Sequence, residues 1–439
     1  MTASNSGQPY PSRRYAWYSV ALLTVAYIFS FVDRYILSLL VEPIKQDLGL
    51  SDTEIGLLLG TAFALFFAVM GLPLGWLADR GRRTWIVGTG VALWSLATAV
   101  SGLARSFVQL FLARIGVGVG EASLAPCALS LISDSFPESK RGRPISFYTA
   151  AQSLGAGIAF VGGGAVFAWA SSAASIDIPG LGALKPWQFT FFAVGLPGLL
   201  VALPLFLLRE PPRQERLSDD APSMRAALTH VGTRWKTYAA FVAFPTVMTI
   251  VAYSQNWYAA MFQRTWAWDI ATFATYFGIA LLVIGPVTVN TAGWLCDRLS
   301  SRGVSDGPVK VMLGGSLLLV PTGILAPLMP SGELAFAVLL INLVGQSTVS
   351  AAAPIALLNI TPGEIRGQIS ALFYMIIAPV GLVIGPLAVG ILNDFVFGEA
   401  GIRYSAAWVA LVFGAPLIVI AGFCRRSYSL EYDALRSRS

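Results

Sequence analysis

The hexapeptide Gly75-Trp76-Leu77-Ala78-Asp79-Arg80 recurs later in the chain as Gly293-Trp294-Leu295-Cys296-Asp297-Arg298, and each copy closes a long apolar run. A second pair also repeats: Arg141-Gly142 and Arg366-Gly367 each precede an apolar run and are followed shortly by an Ile-Ser pair. Two matches at equivalent places indicate a duplicated six-helix unit that fills each half of the chain.

The apolar residues of this 439-residue chain, 56% of the total, come in blocks of about 20, each long enough to cross a ~30 Å hydrocarbon core as a helix. Because lipid offers the backbone no hydrogen-bond partners and the runs lack barrel-type alternation, we predict an all-α membrane protein of twelve transmembrane helices in two pseudo-symmetric six-helix bundles. The predicted division is a bundle at 1–208, a cytoplasmic linker at 209–236 and a second bundle at 237–439. The runs start near Trp17, Glu54, Thr84, Val108, Pro144, Trp187, Thr237, Thr272, Val309, Glu333, Gln368 and Tyr404.

The basic residues predict the orientation of these spans. With both termini in the cytoplasm, 22 of the 29 lysines and arginines fall in cytoplasmic segments, five fall outside and two lie within spans. This asymmetry fits the positive-inside rule, so the net charge of +6 reports topology and not nucleic-acid binding. The first span is too long for a cleaved signal peptide, and we expect it to be retained.

The chain has one histidine and three scattered cysteines, so no cluster predicts a metal site, and no nucleophile motif predicts an enzyme. We expect no cofactor.

Four ionisable residues lie inside predicted spans: Asp33 and Arg34 in the first, Arg114 and Glu121 in the fourth. Unpaired charges at bilayer depth would cost roughly 10 kcal/mol in total, so they must be paired or reached by water. Asp33 beside Arg114, and Arg34 beside Glu121, would satisfy all four if the two helices face each other.

Two interpretations of this cluster remain open. It is a permanent ionic lock, or it is a site where arginine supplies fixed positive charge for an anionic group while a carboxylate loads and unloads a proton. On the second interpretation Glu121 and then Asp33 are the proton-coupling candidates, and Arg34 and Arg114 bind substrate.

The second half carries no such charges in its spans and offers polar side chains instead. Asn256 in the seventh span and Asn342 and Gln346 in the tenth are the candidate substrate contacts there. A cavity charged on one wall and polar-aromatic on the other would suit an amphiphile. Glycines in the fourth, fifth and eleventh spans are interpreted mainly as close-packing positions.

Charges at the predicted cytoplasmic helix ends are candidate gating residues. Asp79 can pair with Arg141, and Asp297 and Arg366 occupy the equivalent places in the second half. The alternative is that these charges anchor the topology at the membrane surface.

The stretch from Gly75 to Arg83, with Arg114-Ile-Gly-Val-Gly118-Val-Gly120, resembles the major facilitator superfamily over the whole chain. Phe31-Val-Asp33-Arg34-Tyr35 and Arg114 to Ala122 are similar to its spinster branch, whose animal members are associated with export of sphingolipids and lysophospholipids and with proton dependence. The resemblance implies a bacterial spinster-like carrier in which Asp33, Arg34, Arg114 and Glu121 are the matching functional positions.

The expected function is therefore a secondary active transporter, proton-coupled, that moves an amphiphilic or lipid-like substrate by alternating access. The alternatives are a proton-coupled symporter of organic anions or sugar acids, or a multidrug efflux carrier. Expected partners are that substrate, protons and membrane lipids, with no nucleic acid, in a monomer of the bacterial inner membrane.

Overall fold

In the computed structural model, which describes residues 10–137, 140–173, 176–178, 182–213, 224–361 and 365–436, almost all regular structure is helical. The helices are α1 (Arg13–Leu39), α2 (Val41–Leu48), α3 (Asp52–Gly56), α4 (Ala62–Arg80), α5 (Arg83–Ser101), α6 (Phe107–Glu121), α7 (Leu124–Ser135), α8 (Gly142–Ser172), α9 (Pro186–Leu207), α10 (Met224–Thr233), α11 (Trp235–Ser254), α12 (Tyr258–Trp266), α13 (Ile270–Ser301), α14 (Gly307–Leu328), α15 (Gly332–Asn359), α16 (Arg366–Leu392), α17 (Ile402–Gly414) and α18 (Leu417–Arg436).

Eleven helical runs of the described chain are long and apolar enough to cross a membrane, and they match the first eleven predicted spans. The twelfth predicted span, from Tyr404, corresponds to α17 and α18, which are separated by a turn at 415–416. The predicted linker contains one helix that the sequence reasoning did not anticipate, α10.

Several spans are interrupted where the ladder of backbone hydrogen bonds changes. The second span begins with α3, passes through a π-helical turn at Leu57–Thr61 and continues as α4. The seventh is broken by a 3-10 turn at Gln255–Trp257, and the eleventh ends in a π-helical turn at Asn393–Phe397. Such irregular turns recur at functional sites in membrane helices.

One feature departs from the all-helical prediction. Strands β1 (Ile176–Ile178) and β2 (Gly182–Leu184) pair as a small antiparallel hairpin between α8 and α9, with Asp177 opposite Ala183. Its two three-residue strands are too short to leave an alternating pattern in the sequence.

Internal packing divides the chain into two compact units. The first comprises Met1–Leu40 and Leu65–Asp220, and the second comprises Val41–Ala64 and Ala221–Ser439. The start of the second span therefore packs with the C-terminal part of the chain. The division into a six-helix bundle at 1–208, a linker at 209–236 and a second bundle at 237–439 stays a prediction.

The two units repeat one packing arrangement. In the first, α1 packs along α8, and in the second, α11 packs along α16. Glycine allows both approaches: a Cβ on Gly155 would lie 2.6 Å from the Phe31 side chain, and a Cβ on Gly385 would lie 2.5 Å from the carbonyl oxygen of Ile250. These distances favour the close-packing interpretation of both glycines, and the equivalence agrees with the duplication in the sequence.

Candidate transport site

All four intramembrane charges belong to the first unit, where α1 carries Asp33 and Arg34 and α6 carries Arg114 and Glu121. Asp33, Arg114 and Glu121 are almost completely buried, with 1%, 1% and 2% of their surfaces exposed. The Arg34 side chain retains 17% exposure. Arg34 is thus the member of the cluster that an incoming group could reach first.

The predicted pairing of Arg34 with Glu121 is present. Nη2 of Arg34 donates to Oε2 of Glu121 at 2.6 Å, and the same oxygen accepts a 2.7 Å hydrogen bond from Oγ of Ser30. The guanidinium also lies 4.8 Å from the ring centre of Phe31 and 5.7 Å from that of Phe67. A charge-assisted hydrogen bond and two aromatic faces therefore hold this arginine in place.

The predicted pairing of Arg114 with Asp33 takes a different form. Arg114 Nη1 donates at 3.1 Å to the main-chain carbonyl oxygen of Asp33 and not to its carboxylate. Among the described residues, Oδ1 of Asp33 and Nε of Arg114 have no hydrogen-bond partner. The carboxyl group of Asp33 thus keeps an open position inside the unit, where a proton or an ordered water would satisfy it.

A third helix contributes to this region, which the sequence reasoning missed. On α5 (Arg83–Ser101), Trp94 packs against Gly120 beside Glu121, and Ser95 and Thr98 lie within one turn of it on the same helix. The side-chain polar atoms of Trp94, Ser95 and Thr98 are buried and lack partners within the described ranges. The available signal was the spacing of Trp94, Ser95 and Thr98, which places their polar atoms on one side of the helix.

In the second unit, Asn342 is fully buried and both ends of its amide are occupied. Nδ2 donates to the carbonyl oxygen of Leu319 at 2.8 Å and to Oγ1 of Thr322 at 3.1 Å, while Oδ1 accepts from Gln255 at 2.7 Å. Asn342 therefore fixes the orientation of Gln255, and direct substrate contact by Asn342 would first require these bonds to break.

The other two predicted substrate contacts of this unit lie nearby in the chain. Asn256 is half-buried in the 3-10 turn that interrupts the seventh span, next to the Gln255 that Asn342 holds. Gln346 is half-buried on α15, one helical turn beyond Asn342. Their roles in binding remain predictions.

The predicted gating residues occupy helix ends. Asp79 and Asp297 are exposed near the ends of α4 and α13, and Nε of Arg141 donates to the carbonyl oxygen of Phe136 at 2.9 Å. Arg366 begins α16, but its side chain lies outside the described part of the structure. The latch between Asp79 and Arg141 stays a prediction.

A neighbouring arginine organises this end of the first unit. Arg83, fully buried at the start of α5, binds the carboxylates of Asp134 and Glu210, and Nη1 also donates to Ser130 at 2.7 Å. Glu210 additionally accepts from the main-chain N–H of Thr84 at 3.1 Å, which caps α5. This role of Arg83 could not be predicted from the sequence, because a basic residue at a helix end resembles an ordinary interfacial charge.

A second charged cluster, also unanticipated, lies in the second unit around Asp52, which is 0% exposed. Its carboxylate accepts four hydrogen bonds: one from Lys45 at 2.6 Å, two from Arg264 at 2.6 and 2.9 Å, and one from Asn393 at 2.9 Å. We call this the Asp52 hub. The sequence did not predict this role of Asp52, because an acid at the edge of an apolar run is usually a helix cap.

Further acids complete the Asp52 hub. Glu42 binds Arg264 at 2.6 Å, and Glu399 binds Lys45 at 2.5 Å. The carboxylate of Asp394 accepts the main-chain N–H groups of Asp52 and Thr53 at 3.0 and 2.7 Å, so it caps α3 from the end of the eleventh span. The hub therefore joins residues 42–53 to the ends of the seventh and eleventh spans.

Known transporters are similar to this chain in sequence and in structure. An efflux pump of the MFS type from Mycolicibacterium smegmatis is 28% identical over 429 residues, covering 95% of this chain and 94% of that protein. A probable L-galactonate transporter from Escherichia coli is 41% identical over 140 residues, about a third of each chain (32% and 31%).

Among solved structures, a bacterial homologue of the human lysosomal transporter Spinster, in an inward-facing and unoccupied conformation, superposes with a TM-score of 0.80 at 25% identity. The match covers 96% of this chain and 98% of that one. The family model described as Major Facilitator Superfamily matches residues 23–304. With its duplicated all-helical fold and full-length relatives, the chain belongs to the Major Facilitator Superfamily and is a multi-pass membrane transporter, not an enzyme.

Proposed function

We propose that this protein is a proton-coupled carrier of an amphiphilic or lipid-like substrate that works by alternating access. The observation that carries the proposal is the buried contact of Arg34 with Glu121 next to the open carboxyl position of Asp33. Arg34 and the hydroxyl of Ser30 both donate to the carboxylate of Glu121. When Glu121 takes up a proton, Arg34 can bind a substrate anion instead of that carboxylate.

The coupling step follows from this geometry. Protonation of Glu121 would remove the negative charge that holds Arg34 and would leave the guanidinium to an anionic head group. The aromatic faces of Phe31 and Phe67 beside Arg34 would then contact apolar atoms of the same substrate. Asp33, whose backbone is held by Arg114, is the second proton site in this scheme.

The relatives support a transport function, and the choice of an amphiphile rests on the resemblance of the sequence to the spinster branch. One structurally similar protein is a homologue of the transporter Spinster, and one relative that is matched over 94% of its length is an efflux pump. We place the chain in the bacterial inner membrane with both termini in the cytoplasm, as the distribution of basic residues predicts.

A second candidate function is proton-coupled uptake of a sugar acid. The 41% identity to a probable L-galactonate transporter over 140 residues favours it, and an arginine freed from Glu121 would bind a carboxylate as well as a phosphate. The direction of coupled movement separates the two: an uptake symporter accumulates its substrate down a proton gradient, whereas an antiporting exporter expels it.

We further infer that the Asp52 hub acts as a lock in the transport cycle. Its members come from both sequence halves, Lys45 and Asp52 from 1–208 and Arg264, Asn393 and Glu399 from 237–439. If the spans of 1–208 move as one body against those of 237–439, the hub opens once in every cycle; if residues 41–64 stay with the second unit, it remains closed.

The test uses proteoliposomes with an imposed pH gradient and a panel of lysophospholipids, cationic drugs and sugar acids. We expect Glu121→Gln to abolish gradient-driven movement while substrate exchange at equal pH persists, and Asp33→Asn to reduce the coupling. Glu333→Gln is the matched control, because Glu333 is exposed in the first turn of α15. Full gradient dependence in both Glu121→Gln and Asp33→Asn would reject the proton sites.

A further inference from the structure

A cleft of about 640 Å³ opens in the first unit between the beginning of α1, the end of α7 and the beginning of α8. We call it the basic cleft, since three exposed cationic side chains line it. Its lining comprises Tyr10, Pro11, Arg13, Ala16, Trp17, Ser135, Phe136, Pro137, Lys140, Gly142 and Arg143.

The three cations of the basic cleft are Arg13, Lys140 and Arg143, and all are exposed. Within the described ranges none of them makes a side-chain hydrogen bond or ion pair. This contrasts with Arg83 in the same unit, which binds two carboxylates. Three cations on one concave surface repel each other unless an anion lies between them, so the cleft is electrostatically prepared for a negatively charged group.

Apart from Ser135, the rest of the lining is apolar or aromatic, and we call Trp17 and Phe136 the aromatic floor. Trp17 packs edge-on against Phe136 and Phe147, with ring centres 5.8 and 6.0 Å apart, and Tyr10 lies 40% exposed at the rim. Tryptophan and tyrosine concentrate at the level of lipid head groups, and α1 and α8 both begin here, at Arg13 and Gly142. The residues of the basic cleft are thus of the kind that is typical of the level where head groups meet acyl chains.

We propose that the basic cleft binds the phosphate head group of an anionic phospholipid. The cations contact the phosphate, while the aromatic floor contacts the glycerol and the first methylene groups. A free phosphate ion would use the cations but would leave the aromatic floor unused. Basic pockets at the ends of transmembrane helices are suited to such lipids. This site is separate from the buried cluster of Asp33 and Glu121 and does not depend on the transported substrate.

The experiment titrates the purified full-length protein with short-chain phosphatidylglycerol, and in parallel with short-chain phosphatidylcholine and inorganic phosphate, reading binding by native mass spectrometry. We expect saturable binding of phosphatidylglycerol that Arg13→Gln with Arg143→Gln weakens roughly 30-fold, about fivefold for each charge. The single variant Lys140→Gln should weaken it about fivefold. Arg14→Gln is the matched control, because Arg14 is exposed on the same helix end but does not line the cleft.

Retained binding in Arg13→Lys with Arg143→Lys, which keeps both charges, would support the proposal and would show that the glutamine variants act through charge. Three results would overturn it. The first is equal affinity for phosphatidylcholine, and the second is unchanged affinity in the glutamine variants, which would show that the lipid binds elsewhere. The third is saturation by inorganic phosphate as tight as by phosphatidylglycerol, which would make the cleft a free-anion site.

Discussion

Replacing Asp52 by asparagine removes one charge and one acceptor oxygen from the Asp52 hub. The carboxylate accepts four hydrogen bonds, three of them from Lys45 and Arg264, whereas an amide keeps one oxygen and presents an NH₂ group to the remaining donors. At least two charge-assisted bonds are lost, at about 1.5–3 kcal/mol each. Lys45 keeps Glu399 and Arg264 keeps Glu42, so we expect a net loss near the lower end of the ~3–5 kcal/mol typical of a broken buried ion pair.

Thermal unfolding of the purified protein in detergent measures this loss. A destabilisation of about 3 kcal/mol in a chain of 439 residues should lower the apparent Tm of Asp52→Asn by about 3–5 °C. Asp269→Asn is the control: Asp269 is exposed at the start of α13, and asparagine caps helices as well as aspartate does, so its Tm should stay near wild type. A Tm for Asp52→Asn within a degree of that control would refute the energetic role assigned to the hub.

Transport by the same variant separates a lock from a static support. If the Asp52 hub opens in every cycle, weakening it changes the turnover rate per folded molecule. If it supports the second unit throughout the cycle, turnover per folded molecule remains that of the wild type while the Tm falls. Proteoliposome flux normalised to the amount of folded protein distinguishes the two outcomes.

Three further substitutions test other parts of the structure. Gly60→Ala should destabilise by about 1–3 kcal/mol, because its Cβ would meet a backbone oxygen 2.0 Å away, whereas Gly71→Ala on the same span meets nothing within 4 Å; equal Tm values would contradict this packing. Arg83→Gln leaves the carboxylates of Asp134 and Glu210 without their cation and should lower the free energy of unfolding by about 3–5 kcal/mol. Arg82→Gln, at the exposed neighbouring residue, should lower it by less than about 0.5 kcal/mol. Partial burial raises the pKa of Asp306, but hydrogen bonds from a lysine and an arginine outweigh it and hold that pKa below its usual value. Because a depressed pKa stabilises above the unfolded pKa, the Tm difference between wild type and Asp306→Asn should be constant from pH 8 to about 5 and should vanish as the pH falls through the folded pKa; a difference that grows on acidification would reverse the assignment.

Much of the fold could be predicted because lipid imposes a single rule on the chain. Long apolar runs must be helices there, so the runs that begin near Trp17 and Glu54 appear as spans in the structure. What hydropathy misses are features without a long period, such as the β1–β2 hairpin and the 3-10 turn at Gln255–Trp257. These depend on local hydrogen bonds and on tertiary contacts.

The charged residues of the candidate site could be predicted because placing a charge at bilayer depth costs free energy. Charges at bilayer depth are rare, so Arg34 and Glu121 could be found and paired by elimination, and their contact is present. The partner of Arg114 could not be found this way, because a main-chain oxygen is available at every residue. Asp52 could not be recognised from the sequence, because an acid at the start of a helix is usually a cap. Its main partner, Arg264, is more than 200 residues away in the chain and contacts it only in the folded protein.

The segment Val41–Ala64 has one further consequence for how variants of this protein are interpreted. It is covalently flanked on both sides by the first unit, yet its packing partners belong to the second. A break in the chain between the halves would therefore leave the N-terminal fragment carrying a segment that packs with the C-terminal fragment. We expect sequence changes at 41–64 and at 382–399 to evolve in step.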